Sequence, residues 1–287
     1  MASWSECRFL TASVLPVRVA CNLRCPFCFS KSSISALRQD PAELCRMDVL
    51  GYYRDAAARG AKRLVITGGG EPLLRPEDVV HLVRVGRQVF SEITCFTNGT
   101  YLTAELARRL ADEGTSYLCW SRHAAGDAEN QALMGEGAPG LDAFFEAAQP
   151  LKVRATCVMA QGQVDGPEAA WRYIEALRPY GVTEFTFKHT YVAYPRSVFQ
   201  GSRENTWARE RQVDEDPFEG TGEVVGRLPW GPVIRRSGEL QICFYREPTP
   251  EWELTNRIGR STNLLSDGSV YASLEDSQSL LYRLTPS

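Results

Sequence analysis

Three cysteines stand within eight residues near the start of the chain. Cys21, Cys25 and Cys28 lie in the stretch VACNLRCPFCFS, just past an apolar run. Thiolate sulfur is a common ligand of zinc and of iron–sulfur clusters. A structural zinc site closes with four Cys or His ligands, and the nearest histidine in sequence is His81. The C-x3-C-x2-C spacing therefore favours an iron–sulfur cluster with one iron open to another ligand.

Two further loops carry residues suited to a polar ligand. The stretch VITGGGEPLL places three glycines and an acid after an apolar run, and glycines let a backbone approach a ligand closely. The next apolar run ends in Thr97 and Asn98, followed by Gly99. Each loop taken alone is also typical of an ordinary turn.

Six β-rich runs alternate with helical patterns between about Ser13 and Thr190. The runs are SVLPVRVA, KRLVITGG, EITCFTN, SYLCWS, LKVRATCVM and VTEFTFKHT. Parallel strands need crossover connections, which are usually helices. A closed barrel typically has eight such units. We therefore predict an α/β fold, a partial (β/α)6 barrel with its chemistry at the carboxyl ends of the strands.

After Tyr191 the sequence becomes polar, charged and glycine-punctuated, which is typical of a lid or connector. Two hairpin-like stretches follow, VIRRSGELQICFYR and TNLLSDGSVYASLE, each turning on a Ser-Gly or Asp-Gly pair. We expect a barrel domain over residues 1–194, and a lid with a small β-rich C-terminal cap over residues 195–287.

The cysteine spacing, with aromatic Phe27 directly before the last cysteine, resembles the signature of the radical S-adenosylmethionine (radical SAM) superfamily. The glycine loop is similar to the GGEP motif of that family. The resemblance implies that the three cysteines hold one 4Fe-4S cluster, whose open iron binds the amino and carboxylate groups of SAM. Reductive cleavage of SAM then yields a 5′-deoxyadenosyl radical that abstracts hydrogen from a substrate. An external donor such as flavodoxin or ferredoxin supplies the electron.

The same resemblance implies the contacts to SAM. The aromatic ring before the last cysteine would lie near the adenine, and the glycine loop would receive the methionyl ammonium. The polar pair after the third run would touch the ribose, and a serine and an arginine further on would meet the carboxylate. These residues are Phe27, Gly69, Gly70, Glu71, Pro72, Thr97, Asn98, Ser121 and Arg154.

Strand alternation indicates two candidate substrate residues. It places Cys119 and Lys188 on faces that line the barrel. Cys119 either returns a hydrogen atom to a product radical, as in radical epimerases, or is a buried structural cysteine. With Arg122, His123 and Arg196 in adjoining loops, Lys188 hints at a cationic mouth and a substrate that carries a carboxylate or phosphate.

Composition excludes several other classes of protein. The 287 residues have a formal net charge of -3 and no dense basic block, so neither nucleic acid nor an anionic membrane is expected as the main partner. We expect no secretory signal peptide, and no apolar run of bilayer length stands in the sequence. Nine cysteines, six of them scattered, do not suggest a disulfide framework, and we expect a reducing cytoplasm.

Cys243 is the one cysteine after Thr190, too few for an auxiliary cluster. A net two-electron oxidation is easier with such a cluster, so we expect a redox-neutral rearrangement, elimination or epimerisation. The expected substrate is a small polar metabolite of a biosynthetic, natural-product pathway. The alternatives are modification of a peptide or protein, and a non-catalytic iron–sulfur or zinc-binding module.

Overall fold

The computed structural model describes residues 3–37, 43–195 and 197–286. Arg196, predicted at the mouth of the barrel, lies outside the described residues. The strands within these ranges are β1 Arg8–Leu15, β2 Leu64–Ile66, β3 Ile93–Thr97, β4 Tyr117–Ser121, β5 Val153–Met159, β6 Glu184–His189, β7 Glu223–Arg227, β8 Val233–Ser237, β9 Leu240–Tyr245, β10 Ile258–Leu265, β11 Ser269–Tyr271 and β12 Leu280–Arg283. The helices are α1 Val49–Ala58, α2 Pro76–Gly86, α3 Ala104–Glu113, α4 Asp127–Met134, α5 Leu141–Ala148, α6 Pro167–Leu177, α7 Arg203–Arg209 and α8 Pro250–Asn256.

The six predicted strands are present and run parallel. Strands β1 to β6 pair in chain order, and helices α1 to α6 lie in the connections between them. Local signals set the helix starts: the Thr103 hydroxyl accepts a hydrogen bond from the Leu106 amide at 3.1 Å, and Pro167 is the first residue of α6. The prediction of an α/β partial barrel is confirmed.

The chain after residue 195 extends the same sheet at both edges. Strand β9 pairs parallel with β6, and β10 pairs parallel with β1. The two predicted hairpins are β8–β9 and β10–β11, whose turns hold Gly238 and Gly268 at φ 60° and 81°, a region that glycine adopts readily. The predicted β-rich cap thus takes the form of added strands, and the boundary at residue 194 stays a prediction.

Eight parallel strands therefore follow one another, in the order β10, β1 to β6, β9. In the described part of the chain no ladder joins β9 to β10, which are connected by α8. Glu247, two residues after β9, instead forms an ion pair with Arg260 of β10. We call this side-chain contact the junction. Between β9 and β10, side chains rather than backbone hydrogen bonds therefore connect the two edges of the barrel in the described part of the chain.

Each strand has one face under the helices and one face toward the barrel interior, here called the lumen. The helix-facing residues belong to the main hydrophobic core. On strands β4, β5, β6 and β9, which are discussed below, the helix-facing core residues include Leu118, Trp120, Ala155, Cys157, Phe185, Phe187, Ile242 and Phe244. Because side chains alternate along a strand, the residues between them face the lumen, and they are mostly polar. Among the described residues, no helix combines the length and apolarity needed to cross a bilayer.

Candidate active site

The cysteine loop follows β1 at the carboxyl edge of the sheet. Cys21 is exposed, and Cys25 and Cys28 are half-buried. The Cys28 amide donates to the Cys25 carbonyl at 3.3 Å, and the Cys21 sulfur accepts from the Leu23 amide at 3.4 Å. Burial, and then the neighbouring thiols, raise the pKa of Cys25 to about 12. Bound iron cations would favour the thiolate forms of all three cysteines.

The glycine loop supports the cysteine loop through direct backbone contact. A Cβ atom on Gly69 would lie 2.0 Å from the Val17 carbonyl oxygen, and one on Gly70 would lie 1.9 Å from the Ala20 carbonyl oxygen. The Glu71 amide also donates to the Ala20 carbonyl at 2.8 Å. Only glycine fits at positions 69 and 70, so these residues fix how the cysteine loop lies on the sheet.

Glu71 joins the glycine loop to the end of β3. Its side chain is 2% exposed, and Oε1 accepts from the Leu73 amide at 3.0 Å and the Thr97 hydroxyl at 2.7 Å. Oε2 accepts from the Asn98 amide at 2.7 Å. Burial raises the pKa of Glu71, and these bonds act in the opposite direction. A carboxylate accepts about four hydrogen bonds, so one position on Oε2 remains for a further donor. Pro72 opens the turn that follows.

Asn98 connects the third loop to the first cysteine. Its Nδ2 donates to the Asn22 side-chain oxygen at 3.1 Å and lies 3.6 Å from the Cys21 sulfur. Hydrogen bonds to ligating sulfur tune the potential of iron–sulfur clusters. The structure therefore brings three predicted loops together around the cysteines, and these donors fit a cluster at this place.

Phe27 packs against two other aromatic side chains. Its ring lies edge-on to His123 at 4.8 Å and near Trp207 of α7 at 5.5 Å. His123 Nδ1 accepts from the Val158 amide at 3.0 Å, which leaves the proton of the neutral ring on Nε2. Burial lowers the pKa of His123 to about 3, so its imidazole is neutral at physiological pH.

Of the described residues predicted to form the cationic mouth, Lys188 alone faces the lumen, and burial lowers the pKa of its amine to about 7. Arg122 is fully buried on the helix side of the sheet, where it pairs with Asp127 at 2.8 Å and covers the Trp120 ring at 5.3 Å. His123 is neutral. Neither residue supplies positive charge to the mouth. The prediction counted cationic residues in the loops, and such a count does not show on which face of the sheet each side chain lies.

The strand register arranges the lumen side chains of β4, β5, β6 and β9 in rows. The floor row is Cys119, Arg154, Glu184 and Gln241; the middle row is Ser121, Thr156, Thr186 and Cys243; the upper row adds Val158, Lys188 and Tyr245. Successive rows are about 7 Å apart, since two residues of strand separate them. The middle and upper rows lie nearer the cysteine loop.

Arg154 lies in the floor row, one row below Ser121. Its Nε donates to Glu184 Oε2 at 2.9 Å, and its guanidinium covers the Tyr117 ring at 4.5 Å. Both residues were predicted to meet the SAM carboxylate. The register places them on the same lumen face one row apart, and their contact with SAM stays a prediction.

Cys119 also belongs to the floor row. Its side chain is 1% exposed, and its sulfur lies 3.3 Å from the Thr94 hydroxyl. Burial raises the pKa of this thiol to about 11. The thiol faces the lumen, as predicted, but is closely covered.

Lys188 is part of an ionic group at the junction that the sequence did not reveal. Its Nζ donates to Glu247 at 2.8 Å, and Tyr245 donates to the same carboxylate at 2.8 Å. Arg260 completes the group, and its amide donates to Glu253 Oε1 at 2.6 Å. Some of these partners are far apart in the sequence and others lie in loops. They come into contact because β9 and β10 lie near each other.

Residues 15–195 match the family model of the radical SAM superfamily, which covers more than half of the chain. The chain therefore belongs to that superfamily. Membership implies a site for SAM and for an iron–sulfur cluster.

Individual relatives match over shorter stretches. The AdoMet-dependent heme synthase of Methanosarcina barkeri is 36% identical over 98 residues, 34% of this chain and 27% of that protein. The GTP 3′,8-cyclase of Lactiplantibacillus plantarum is 36% identical over 106 residues, 36% of this chain and 31% of that protein. The chain thus spans less than a third of the length of either relative.

Among solved structures, Streptococcus suis SuiB bound to S-adenosylmethionine is similar with a TM-score of 0.59 at 17% identity. The likeness covers 96% of this chain and 63% of SuiB. The same protein bound to its precursor peptide SuiA is similar with a TM-score of 0.57. At this level of identity the likeness shows a shared fold.

Proposed function

We propose that the protein binds one 4Fe-4S cluster through Cys21, Cys25 and Cys28 and uses SAM to abstract a hydrogen atom from a small polar metabolite. When bound, the cluster supplies the electron that cleaves SAM. The observation that carries the proposal is the packing of the cysteine loop on Gly69 and Gly70, where only glycine fits.

The chain's own residues would hold SAM from several sides. The glycine loop receives the ammonium, with the free position on Glu71 as a further acceptor. Phe27 lies near the adenine, Thr97 and Asn98 near the ribose, and Ser121 near the carboxylate. For Arg154 the proposal requires its guanidinium to leave Glu184, so Ser121 is the main carboxylate contact.

The lumen supports a small polar substrate. Its walls carry hydroxyl, thiol and ionic groups, which can bind the polar groups of a metabolite. Lys188 is the proposed contact for an anionic group, and it would share its charge with Glu247. Relatives named as heme synthases and GTP cyclases also suggest small-molecule chemistry. We further propose a redox-neutral outcome, an electron donor such as flavodoxin or ferredoxin, and a cytoplasmic setting.

A fractionation experiment tests the substrate class. The reconstituted enzyme is given SAM, dithionite and the low-molecular-weight fraction of its producing cells, with or without protease treatment of that fraction. We expect the fraction to increase 5′-deoxyadenosine formation in both cases. An increase that protease treatment abolishes would contradict the metabolite proposal and favour a peptide substrate.

A further inference from the structure

Residues 27–32, the tail of the cysteine loop, are held by side chains that follow β6 in the chain. We call these four side chains the clasp; they are Tyr191, Ser202, Glu204 and Trp207. The Ser202 and Ser32 hydroxyl groups are hydrogen-bonded at 2.8 Å, although they lie 170 residues apart in sequence. Glu204 forms an ion pair with Lys31 at 3.3 Å. Ser32 is 3% exposed whereas the Lys31 side chain is 36% exposed, so we expect the serine pair to be the stronger restraint.

Helix α7, with its cap Ser202, is anchored independently of the cysteine loop. Asn205 of this helix is 1% exposed. Its Oδ1 accepts from the Ala193 amide at 2.5 Å, and its Nδ2 donates to the Gln200 carbonyl at 2.7 Å. The Ser202 hydroxyl oxygen caps the helix by accepting from the Asn205 amide at 3.0 Å. The helix is therefore a fixed support against which the loop can be positioned.

The Phe27 ring is held by two side chains from distant elements. The ring centre of His123 lies 4.8 Å away, edge-on, and that of Trp207 lies 5.5 Å away. His123 is itself fixed, because its Nδ1 accepts from the Val158 amide. The Arg211 guanidinium covers the Trp207 ring at 5.0 Å, a favourable cation–π contact. Since Phe27 is only 8% exposed, a change in its rotamer would displace one of these neighbours.

The clasp also holds the aromatic residue on the other side of the third cysteine. The Phe29 ring lies edge-on to Tyr191, with the ring centres 4.6 Å apart. Aromatic pairs prefer this arrangement. Phe27 and Phe29 flank Cys28 in the sequence, so both neighbours of this cysteine pack against the clasp.

We infer that the clasp positions the third cysteine for the cluster and the Phe27 ring for SAM, and that Trp207 is the positioning residue on which SAM affinity depends. This inference rests on the proposed function, in which Phe27 lies near the adenine. Ser202, Glu204 and Trp207 lie beyond the residues that match the family model, so membership of the superfamily does not assign them this role. The segment after the barrel strands would thus take part in cofactor binding.

SAM affinity tests the aromatic contact. Binding of radiolabelled SAM per cluster is measured by equilibrium dialysis on the anaerobically reconstituted, oxidised protein, which cannot cleave SAM without an electron. We expect Trp207→Ala and Trp207→Leu to raise the Kd about five- to tenfold, within the range of one aromatic pair. Trp207→Phe keeps a ring and should restore most of the affinity. Trp252→Ala, at a half-buried tryptophan of α8, is the control and should bind SAM like the wild type.

Wild-type affinity in both Trp207→Ala and Trp207→Leu overturns the assignment of Trp207, and so does an equal loss of affinity in Trp252→Ala. Trp207→Leu keeps an apolar side chain of substantial volume, so it provides the measurement if the alanine variant does not fold. A wild-type protein that holds its cluster and binds no SAM contradicts the proposed function instead.

Iron retention tests the polar contact. Ser202→Ala removes the cap of α7 together with the hydrogen bond to Ser32. Thr249→Ala is the matched control, because Thr249 caps α8, another helix of seven residues, which packs on β10. We expect Ser202→Ala to lose iron to a chelator several-fold faster than the wild type, and Thr249→Ala to lose it at the wild-type rate. Equal rates in the two variants overturn the inference that the clasp holds the cysteine loop.

Discussion

At the scale of single residues, Glu71 has a structural task beside its proposed contact with SAM. Glu71→Gln would turn an amide NH2 group toward backbone N–H donors that now meet a carboxylate oxygen. We expect a loss of about 1–3 kcal/mol in the free energy of unfolding, measured by urea denaturation. Glu77→Gln, at an exposed carboxylate, is the control. Equal stability of the two variants would contradict the assignment of Glu71 as a buried connector.

Glu253 should give the protein a measurable dependence on pH. Burial raises its pKa from 4.5 to about 8. Between these values the folded state holds a proton that the unfolded state has released, so stability falls as pH rises from about 5 to 8. Glu253→Gln keeps an oxygen acceptor for the Arg260 amide and should reduce this fall by a few kcal/mol, on the order expected for such a pKa change. Urea denaturation at several pH values measures the slope, and identical slopes in both proteins would contradict this assignment.

Site residues that belong to one short motif were easier to predict from the sequence than site residues that are defined by partners far away in the chain. Cys21, Cys25 and Cys28 stand in one short spacing, and their loop lies where that spacing predicts. The pairing of Arg154 with Glu184 depends on the register of β5 against β6. Residue types alone do not show which residues of β5 and β6 pair, so the row that Arg154 occupies in the lumen could not be predicted.

At the scale of elements, contact between the glycine loop and the cysteine loop should control cluster binding. Gly70→Ala places a Cβ atom against the Ala20 carbonyl, and backbone atoms must shift to make room. We expect a marked loss of iron bound per chain after anaerobic reconstitution. Gly201→Ala, where an added Cβ has open space, should bind iron like the wild type. Full iron content in Gly70→Ala would show that the loop contact is not needed.

The elements themselves followed from periodicity where one face is buried. The first strand is the exception, since the predicted run begins at Ser13 and β1 spans Arg8–Leu15. Pro16 lacks the amide that a central strand needs, which explains why the strand ends before it. Strand β7 was not predicted, because most of its residues are exposed and show no alternation.

At the scale of the whole molecule, the junction should contribute strongly to stability. Glu247→Gln removes the carboxylate shared by Lys188 and Arg260. Because burial lowers the pKa of Lys188 to about 7, Arg260 is the largely buried cation that loses this partner. We expect a loss of about 3–5 kcal/mol in the free energy of unfolding. Glu239→Gln, which removes an exposed partner of Arg178, is the matched control and should have little effect. A small change in Glu247→Gln would mean that the barrel edges do not depend on this bridge.

The position of β10 beside β1 was the largest feature that sequence reading did not supply. The stretch was correctly predicted as part of a hairpin, but its parallel partner lies about 250 residues away in the chain. Pairing over such a distance depends on the closure of the sheet around a common lumen. Six predicted β/α units thereby became an array of eight parallel strands.

The central claim is that the cysteine loop and the glycine loop together support reductive cleavage of SAM. The most direct measurement is 5′-deoxyadenosine formed by the anaerobically reconstituted protein with SAM and dithionite, compared with Cys25→Ala and with Cys45→Ala. We predict product from the wild type and Cys45→Ala, and none from Cys25→Ala. Iron bound in full by the wild type without any cleavage of SAM, or product from Cys25→Ala equal to the wild type, would contradict the claim.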